Sequence, residues 1–506
     1  MQRNVLEYLD ETVKKYGQKT AFADEGKSIT FLELKDSADA IGSRLTEAGK
    51  TKKPVAVYLP KGCDCITAFM GVVSSGNFYC PIDVTMPEER ISTILKVLQP
   101  EMILTNEEYA QKAAAFSYKC EIILLDEAEH TPVREAELTQ IRQNMLDLDP
   151  LYVLFTSGST GIPKGVLISH RAVIDYIDWV TETFHIDADD TFGNQAPFYF
   201  DNSILDIYCA LKNGSSVYII PKRKFLFPKD LLLYLSEHKI NTIFWVPSML
   251  CAVANLHGLE LGIPLDLKKI LFAGEVMPNK QLNMWRKALP DALYANLYGP
   301  TEIADVCVYY IVNREFEDDE LLPIGFPCKN TGVLVLNDKD EAVQGDETGE
   351  LCISGTCLAL GYYNNPQKTK EVFVQNPLNT AYEEKIYRTG DIVKYNEYGE
   401  LLYLSRKDFQ IKHMGHRIEL GEIETALGAK EEIENCACIY DEDKGRIVMF
   451  YMGIETLHKE LKEYLKQKVP EYMIPSVFVH YGNFPYNANG KIDRKVLKQE
   501  YLAGGR

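Results

Sequence analysis

The chain has 506 residues, room at roughly 150 residues per domain for two to four domains. Hydrophobic residues make up 46% and charged residues 25%, a globular balance that excludes bulk disorder, a collagen-like rod and a coiled coil. Lys+Arg 54 against Asp+Glu 73 leaves a net charge of −19, which repels phosphate backbones and argues against nucleic-acid binding, so an anionic ligand must be held locally.

The chain starts with MQRNVLEYLDETVKKYG, a charged amphipathic pattern without an apolar signal core, and a cytoplasmic location is expected. Of the 12 cysteines only Cys63/Cys65 and Cys436/Cys438 lie close together, neither with zinc-site spacing, so reduced core thiols are expected. Cys65 to Ile82 is an uncharged run interrupted by Ser74, Ser75, Gly76 and Asn77, which reads as helix, turn and strand and not as a membrane span. Short apolar stretches, VAVYL (55–59), MILT (102–105), IILL (122–125), VYII (217–220), TIFWV (242–246) and KILFAG (269–274), alternate with helical patterns such as KDLLLYLSEH (229–238) and NKQLNMWRKAL (279–289). That alternation predicts α/β layers. From about residue 320 shorter strands with turn signals predict a smaller barrel-like layer. After Asp408 the order is helix, strand, strand and helix (GEIETALGA, CACIYD, RIVMFYM, LHKELKEYLKQKV). The expected division is therefore 1–407 and a compact α+β unit at 408–506.

Five segments carry chemistry. In LYVLFTSGSTGIPKGVLISH (151–170) an apolar strand runs into Thr156, Ser157, Gly158, Ser159, Thr160 and Gly161, then Lys164. Hydroxyls and side-chain-free amides can wrap phosphate oxygens, although Pro163 and Gly165 depart from the P-loop pattern and the segment alone also fits a polar turn. NLYGPTE (296–302) sets a ring able to stack on a base beside a carboxylate able to hold Mg²⁺. In YRTGDI (387–392) Asp391 can accept hydrogen bonds from two ribose hydroxyls. SRKDFQIKHMGHRIELGEIE (405–424) is dense in charge and glycine, and NGKIDR (489–494) holds a lone lysine on a tight turn.

Taken together and in this order, these segments resemble the phosphate loop, adenine motif, ribose motif, hinge and catalytic-lysine motif of the adenylate-forming (ANL) superfamily. FLELKDSADAIGSRL, GNFYCPID (76–83), GELCISGTCLALGYY (349–363) and PEYMIP (470–475) add weaker matches. Within it the chain is most similar to amino-acid adenylation domains of nonribosomal peptide synthetases and to free-standing D-alanine–carrier protein ligases, through NQAPF (194–198), GEVMPN (274–279) and DFQIK (408–412). The resemblance implies an α/β fold with a large N-terminal domain of layered α/β subdomains, a small barrel-like subdomain, and a small mobile α+β C-terminal domain.

The resemblance also implies roles. The 156–165 loop with Lys164 would hold the β- and γ-phosphates of ATP, Glu302 would ligate Mg²⁺, and Thr301 would contact the α-phosphate. Gly274, Glu275, Asn296, Leu297, Tyr298 and Gly299 would line the nucleotide site, with Asn296 and Tyr298 on adenine and Asp391 and Arg406 on ribose. Lys491 would bridge substrate carboxylate and nucleotide, and Asp408 would be the hinge about which the C-terminal domain turns, bringing the loop at Met414, Gly415 and His416 toward a thiol channel. In FDNS (200–203), Asp201 would take the substrate's α-ammonium. A buried carboxylate is matched by an ammonium and left uncompensated by a fatty or aryl acid, though the same segment also reads as a helix N-cap. The remaining specificity positions would be Asn202, Leu205, Trp245, Leu271, Ala273, Leu297, Asp305, Val306 and Lys491.

With Trp245, Leu205 and Leu297 filling the pocket, a small amino acid is expected. Asp305 calls for a hydroxyl, a second amine or water. D-Alanine ligases have cysteine at the position of Ala273 and an apolar residue at that of Asp305, so serine, threonine, glycine and a small diamino or β-amino acid stay open. No carrier, condensation or thioesterase motif is present, so the acceptor is expected to be a phosphopantetheinyl carrier protein in trans, with coenzyme A as runner-up. PKRKF (221–225) fits either acceptor or plain surface. The competing readings are an acyl- or aryl-CoA ligase of the same superfamily and a catalytically silent nucleotide-binding scaffold.

Overall fold

The computed structural model describes residues 2–158, 162–407, 410–485 and 492–503. Ser159, Thr160, Gly161, Asp408 and Lys491 therefore lie outside the described residues.

The alternation of short apolar runs with helical patterns produces two large sheets. In one, the parallel strands Phe78–Ile82, Pro54–Tyr58, Met102–Thr105 and Glu121–Leu124 continue into Pro150–Thr156, which pairs antiparallel with Lys164–Ser169. In the other, Thr191–Asn194, Thr242–Trp245, Lys269–Ala273 and Leu293–Tyr298 are mutually parallel. Buried strands of this kind are apolar on both faces because helices cover both. Helices Phe31–Thr46, Cys63–Ser74, His170–Phe184 and Asn202–Asn213 contribute to the apolar core that both sheets share. The first of these opens with a reciprocal cap, Thr30 accepting from the Glu33 amide while Glu33 accepts from that of Thr30.

The run from Cys65 to Ile82 is helix Cys63–Ser74, a turn, and strand Phe78–Ile82. Among the described residues no helix is long and apolar enough to cross a membrane. All 12 cysteines are free, and only Cys120 and Cys251 are not fully buried.

Beyond residue 320 the expected small β layer is an antiparallel sheet of Thr331–Leu336, Gly349–Gly355, Lys385–Tyr395, Phe373–Gln375 and Leu401–Arg406. The chain from Gln410 onward forms a hairpin, Gln410–His413 with His416–Glu419, and then a mixed sheet flanked by helices Leu420–Gly428, His458–Lys466 and Arg494–Ala503. Two apolar clusters of its own, one around Ile423 and Met449 and one around Phe450 and Leu497, make this an α+β unit. Its third strand, Val477–His480, is one that the sequence pattern did not announce.

The topology fixes where a ligand can sit. Ligands of parallel sheets bind beyond the carboxyl ends of the strands. Here those ends deliver Gly274–Glu275 after Ala273 and Gly299–Thr301 after Tyr298, while Asp201 lies on the segment following Asn194.

His170, at the head of its helix, is fully buried and accepts the Val5 amide at Nδ1 (3.3 Å), with no partner for Nε2 among the described residues. Burial lowers its pKa to about 4. The unfolded chain takes up this proton near pH 6.5 and the folded chain only near 4, so His170 stabilises fully above pH 6.5 and loses that contribution as pH falls through the window. At pH 5 the loss is about 2 kcal/mol. Urea titrations at pH 7 and pH 5 are expected to show this drop, and His170→Gln to remove it from the difference; an unchanged difference in the variant contradicts the assignment.

Candidate active site

The turn after strand Pro150–Thr156 is built for a close approach of backbone to backbone. A Cβ on Gly158 would lie 2.0 Å from the Ile162 carbonyl oxygen. Thr156 Oγ1 is buried at the turn with no hydrogen-bond partner among the described residues. Ser157 Oγ donates to the Arg417 carbonyl (2.9 Å) and accepts the Glu419 amide (3.0 Å), stitching the turn to the C-terminal hairpin.

That hairpin reaches into the site. Its two turn residues, Met414 and Gly415, both have positive φ, 52° and 78°, the backbone of a type I′ turn. A side chain on Gly415 would meet Val246 Cγ1 at 2.4 Å, so glycine lets the tip pass. The Gly415 amide donates to Glu275 Oε1 (3.0 Å), whose other oxygen accepts the Ser248 amide (2.9 Å). His416 stacks on Tyr472 (3.6 Å between centroids) and meets Phe200 edge-on. Burial, then His413, lowers its pKa to about 3, so the ring is neutral at physiological pH.

The charges at the centre complement one another. Glu302 is fully buried; Arg417 Nη1 donates to Oε2 (2.7 Å) and the Tyr362 hydroxyl to Oε1 (2.6 Å). Burial opposes ionisation, but Arg417 and then Lys164 outweigh it and hold the carboxyl at about 2. Lys164 in turn reaches Glu419 Oε1 (3.4 Å), and burial, then Arg417, lowers its pKa. Farther out, Arg90 pairs with Glu422, both buried, and Lys468 with Glu89 (2.6 Å). The free space in the cavity lined by Thr156, Asp201, Thr301, Asp391, Lys412 and Arg417 is about 50 Å³. A ligand pocket needs several hundred Å³, so a nucleotide would have to displace the hairpin.

At the opposite wall Asp391 is bonded by Arg406 Nη1 (2.6 Å) and by the Tyr298 hydroxyl. Lys412, from the hairpin, stands 5.1 Å over the Tyr298 ring. Asn296 donates its amide to the Pro323 carbonyl (2.8 Å). Asp201, 7% exposed, faces the same cavity and accepts the Asn202 amide (3.1 Å). It is thus helix cap and cavity wall at once. Burial raises its pKa, while the Thr301 hydroxyl bonded to it opposes the rise.

Leu205, Leu271, Ala273, Leu297 and Val306 are buried in one core cluster. Trp245 lies elsewhere, which corrects the expectation that it fills the pocket. Its indole N–H donates to the Gly193 carbonyl (2.8 Å) and its ring packs with Phe225 and Phe272 on the far face of the sheet. The neighbouring Phe244, in register with Leu271, shares the cluster of Leu205 and Leu297.

The model of the AMP-binding enzyme family matches residues 9–363, and that of the AMP-binding enzyme C-terminal domain matches 422–491. The chain belongs to the AMP-binding enzymes. This AMP-binding enzyme is 34% identical over 514 residues to a D-alanine–D-alanyl carrier protein ligase of Bacillus licheniformis, covering 97% of this chain and 99% of that one. It is 32% identical over 509 residues to tyrocidine synthase 1 of Brevibacillus parabrevis, covering all of this chain but only 46% of the synthase. Its fold matches the Vibrio cholerae adenylation domain AlmE, solved in complex with glycyl-adenosine-5′-phosphate, with TM-score 0.85 and 23% identity over 99% of this chain and 98% of that one.

Four side chains that the sequence did not single out belong to the AMP-binding enzyme's site. Arg417, Glu419 and Lys412 stand in the charged stretch 405–424, which signals interest without saying which charge meets which partner. Tyr362 lies in the GYY run, where nothing local points at Glu302.

Proposed function

We propose that this chain activates a small amino acid with MgATP to an aminoacyl-adenylate and passes it to the phosphopantetheine thiol of a carrier protein. The observation that carries the reading is Asp201, a buried carboxylate lining the cavity at which the phosphate turn, Thr301 and Asp391 converge. The name of the Bacillus licheniformis relative joins an amino acid to a carrier protein in the same way.

In the first step a substrate carboxylate oxygen bonds to the α-phosphorus and the bond from that phosphorus to the β-bridging oxygen breaks, its electron pair leaving with pyrophosphate. Carboxylate and triphosphate repel, so the chain's contribution is positioning and charge neutralisation. Asp201 holds the ammonium, Asp391 and Arg406 the ribose, Tyr298 and Asn296 the adenine, and Lys164 with the 156–161 turn the outer phosphates; on this reading the role of Lys491 is to stabilise the charge that develops between carboxylate and nucleotide. Glu302 and the Thr156 hydroxyl, which has no partner among the described residues, are hard oxygen donors that fit Mg²⁺. Bound there, Mg²⁺ would neutralise triphosphate charge. In the second step the thiol sulfur bonds to the acyl carbon, the acyl–phosphate oxygen bond breaks, AMP leaves, and the thiol proton passes to solvent.

The hairpin arrangement suits the second step. Arg417 occupies the carboxylate meant for the cation, and Glu419 the ammonium meant for phosphate, so MgATP and the docked hairpin compete for the same partners. The C-terminal unit must then swing, about the segment containing Asp408, between a state that admits Lys491 and the state seen here. Mass spectrometry of a phosphopantetheinylated carrier incubated with this protein, ATP and amino acid is expected to show one aminoacyl addition. Adenylate formation without any transfer, to carrier or to coenzyme A, contradicts the second step.

A further inference from the structure

Asp305 is a carboxylate for which the reaction above has no use. It follows Ala304 through two residues of positive φ, 57° and 88°, a backbone that disfavours side-chain-bearing residues, and it is 3% exposed. Among the described residues one hydrogen bond reaches it, from the Tyr176 hydroxyl to Oδ2 at 2.7 Å. Burial and then the charge of Asp201 push its pKa well up.

Two further polar groups stand open in the same region. The Tyr152 hydroxyl, on a fully buried residue, has no hydrogen-bond partner among the described residues and lies near enough to Asp201 and Asp305 that both charges act on it. The Asn202 amide nitrogen, on the residue next to Asp201, is also buried and unpartnered. Side chains of this kind are nearly always satisfied; among the described residues these two, beside Asp201 and Asp305, are not. Lys412 is the cation acting on Asp305, as the weakest of the influences on it, and its ammonium sits over Tyr298, on the hairpin that the proposed function has MgATP displace.

Charge balance then narrows the ligand. If the α-ammonium neutralises Asp201, Asp305 keeps the Tyr176 phenol as its one partner among the described residues and must either take up a proton or carry a buried unpaired charge at a cost of several kcal/mol. An apolar side chain leaves the cost in place, and a hydroxyl adds one hydrogen bond without charge. A second ammonium cancels it, and with Leu205, Leu271, Leu297 and Phe244 buried in one apolar cluster a short stem is the one proposed.

We propose that the amino acid activated by this protein carries a second primary amine on a short side chain, as in 2,3-diaminopropionate or 2,4-diaminobutyrate, and that Asp305, positioned by Tyr176, receives that amine. This rests on the reading that Asp201 takes the α-ammonium.

The test is ATP–pyrophosphate exchange by the whole chain with both enantiomers of 2,3-diaminopropionate, 2,4-diaminobutyrate, serine, threonine and alanine, and with glycine. The diamino acids are expected to exceed alanine and serine by about 100-fold in kcat/KM, and Asp305→Asn to lower the diamino-to-alanine ratio by about 100-fold, the scale of one buried charge pair. Should that variant fail to fold, Tyr176→Phe is expected to raise KM for the diamino acid more than for alanine. Preference for serine, threonine, glycine or alanine in the unaltered protein overturns this inference while leaving amino-acid activation standing. An unchanged ratio in Asp305→Asn, or in Tyr176→Phe where that variant stands in, also overturns it. Exchange with no amino acid at all overturns both.

Discussion

Asp201→Asn is expected to lower kcat/KM for amino-acid-dependent pyrophosphate exchange by two to three orders of magnitude while leaving the melting temperature within about 2 °C. The two parts of that expectation come from the two things Asp201 does. As a helix cap it accepts the Asn202 amide, and asparagine caps as well as aspartate. As a charge it faces the cavity, and asparagine brings none. Removing one member of a buried ion pair costs about 3–5 kcal/mol, which is the predicted loss. A variant that melts early and keeps its exchange rate per folded molecule makes Asp201 a cap and nothing more.

The second large effect is a pair of opposite failures. Lys491→Ala is expected to lower adenylate formation by about 10²–10³-fold, the scale of one donor aimed at developing charge, and to leave transfer from supplied aminoacyl-adenylate to the carrier nearly intact. Arg417→Ala is expected to do the reverse. Arg417 reaches Glu302 from the docked hairpin; without it a fully buried carboxylate keeps Lys164 as its remaining charge partner in that state, so the docked population and the thiol step are expected to fall together. The two half-reactions, assayed separately for each variant, decide it. Equal loss of both steps in either variant contradicts the division of labour between the two states.

Much of this was legible along the chain because it is local. A strand running into hydroxyls and the alternation of strands with helices are patterns within 10 to 20 residues. Thr389 and Gly390, which read as a turn before Asp391, instead lie within strand Lys385–Tyr395, where its pairing with Gly349–Gly355 shifts register. What was hidden depends on pairing across the chain. Ser157 bonds Arg417 and Glu419, some 260 residues away, and nothing near either partner encodes the other.

Trp245 failed for a different reason. Its strand is buried on both faces, so both faces are apolar and the period-two signal that assigns sides is absent. Phe244 and Trp245 were therefore indistinguishable until the register with Leu271 and Phe272 was known. Tyr176 was unreadable likewise: on an amphipathic helix it is one more core aromatic, and only the fold brings its hydroxyl to Asp305.

The most direct measurement of the central claim, that an ammonium sits on Asp201 beside the activated carboxylate, is pyrophosphate exchange with amino acids and with the same acids lacking the α-amine. Exchange that requires the amine is the predicted result; equal or faster exchange with the des-amino acids contradicts it.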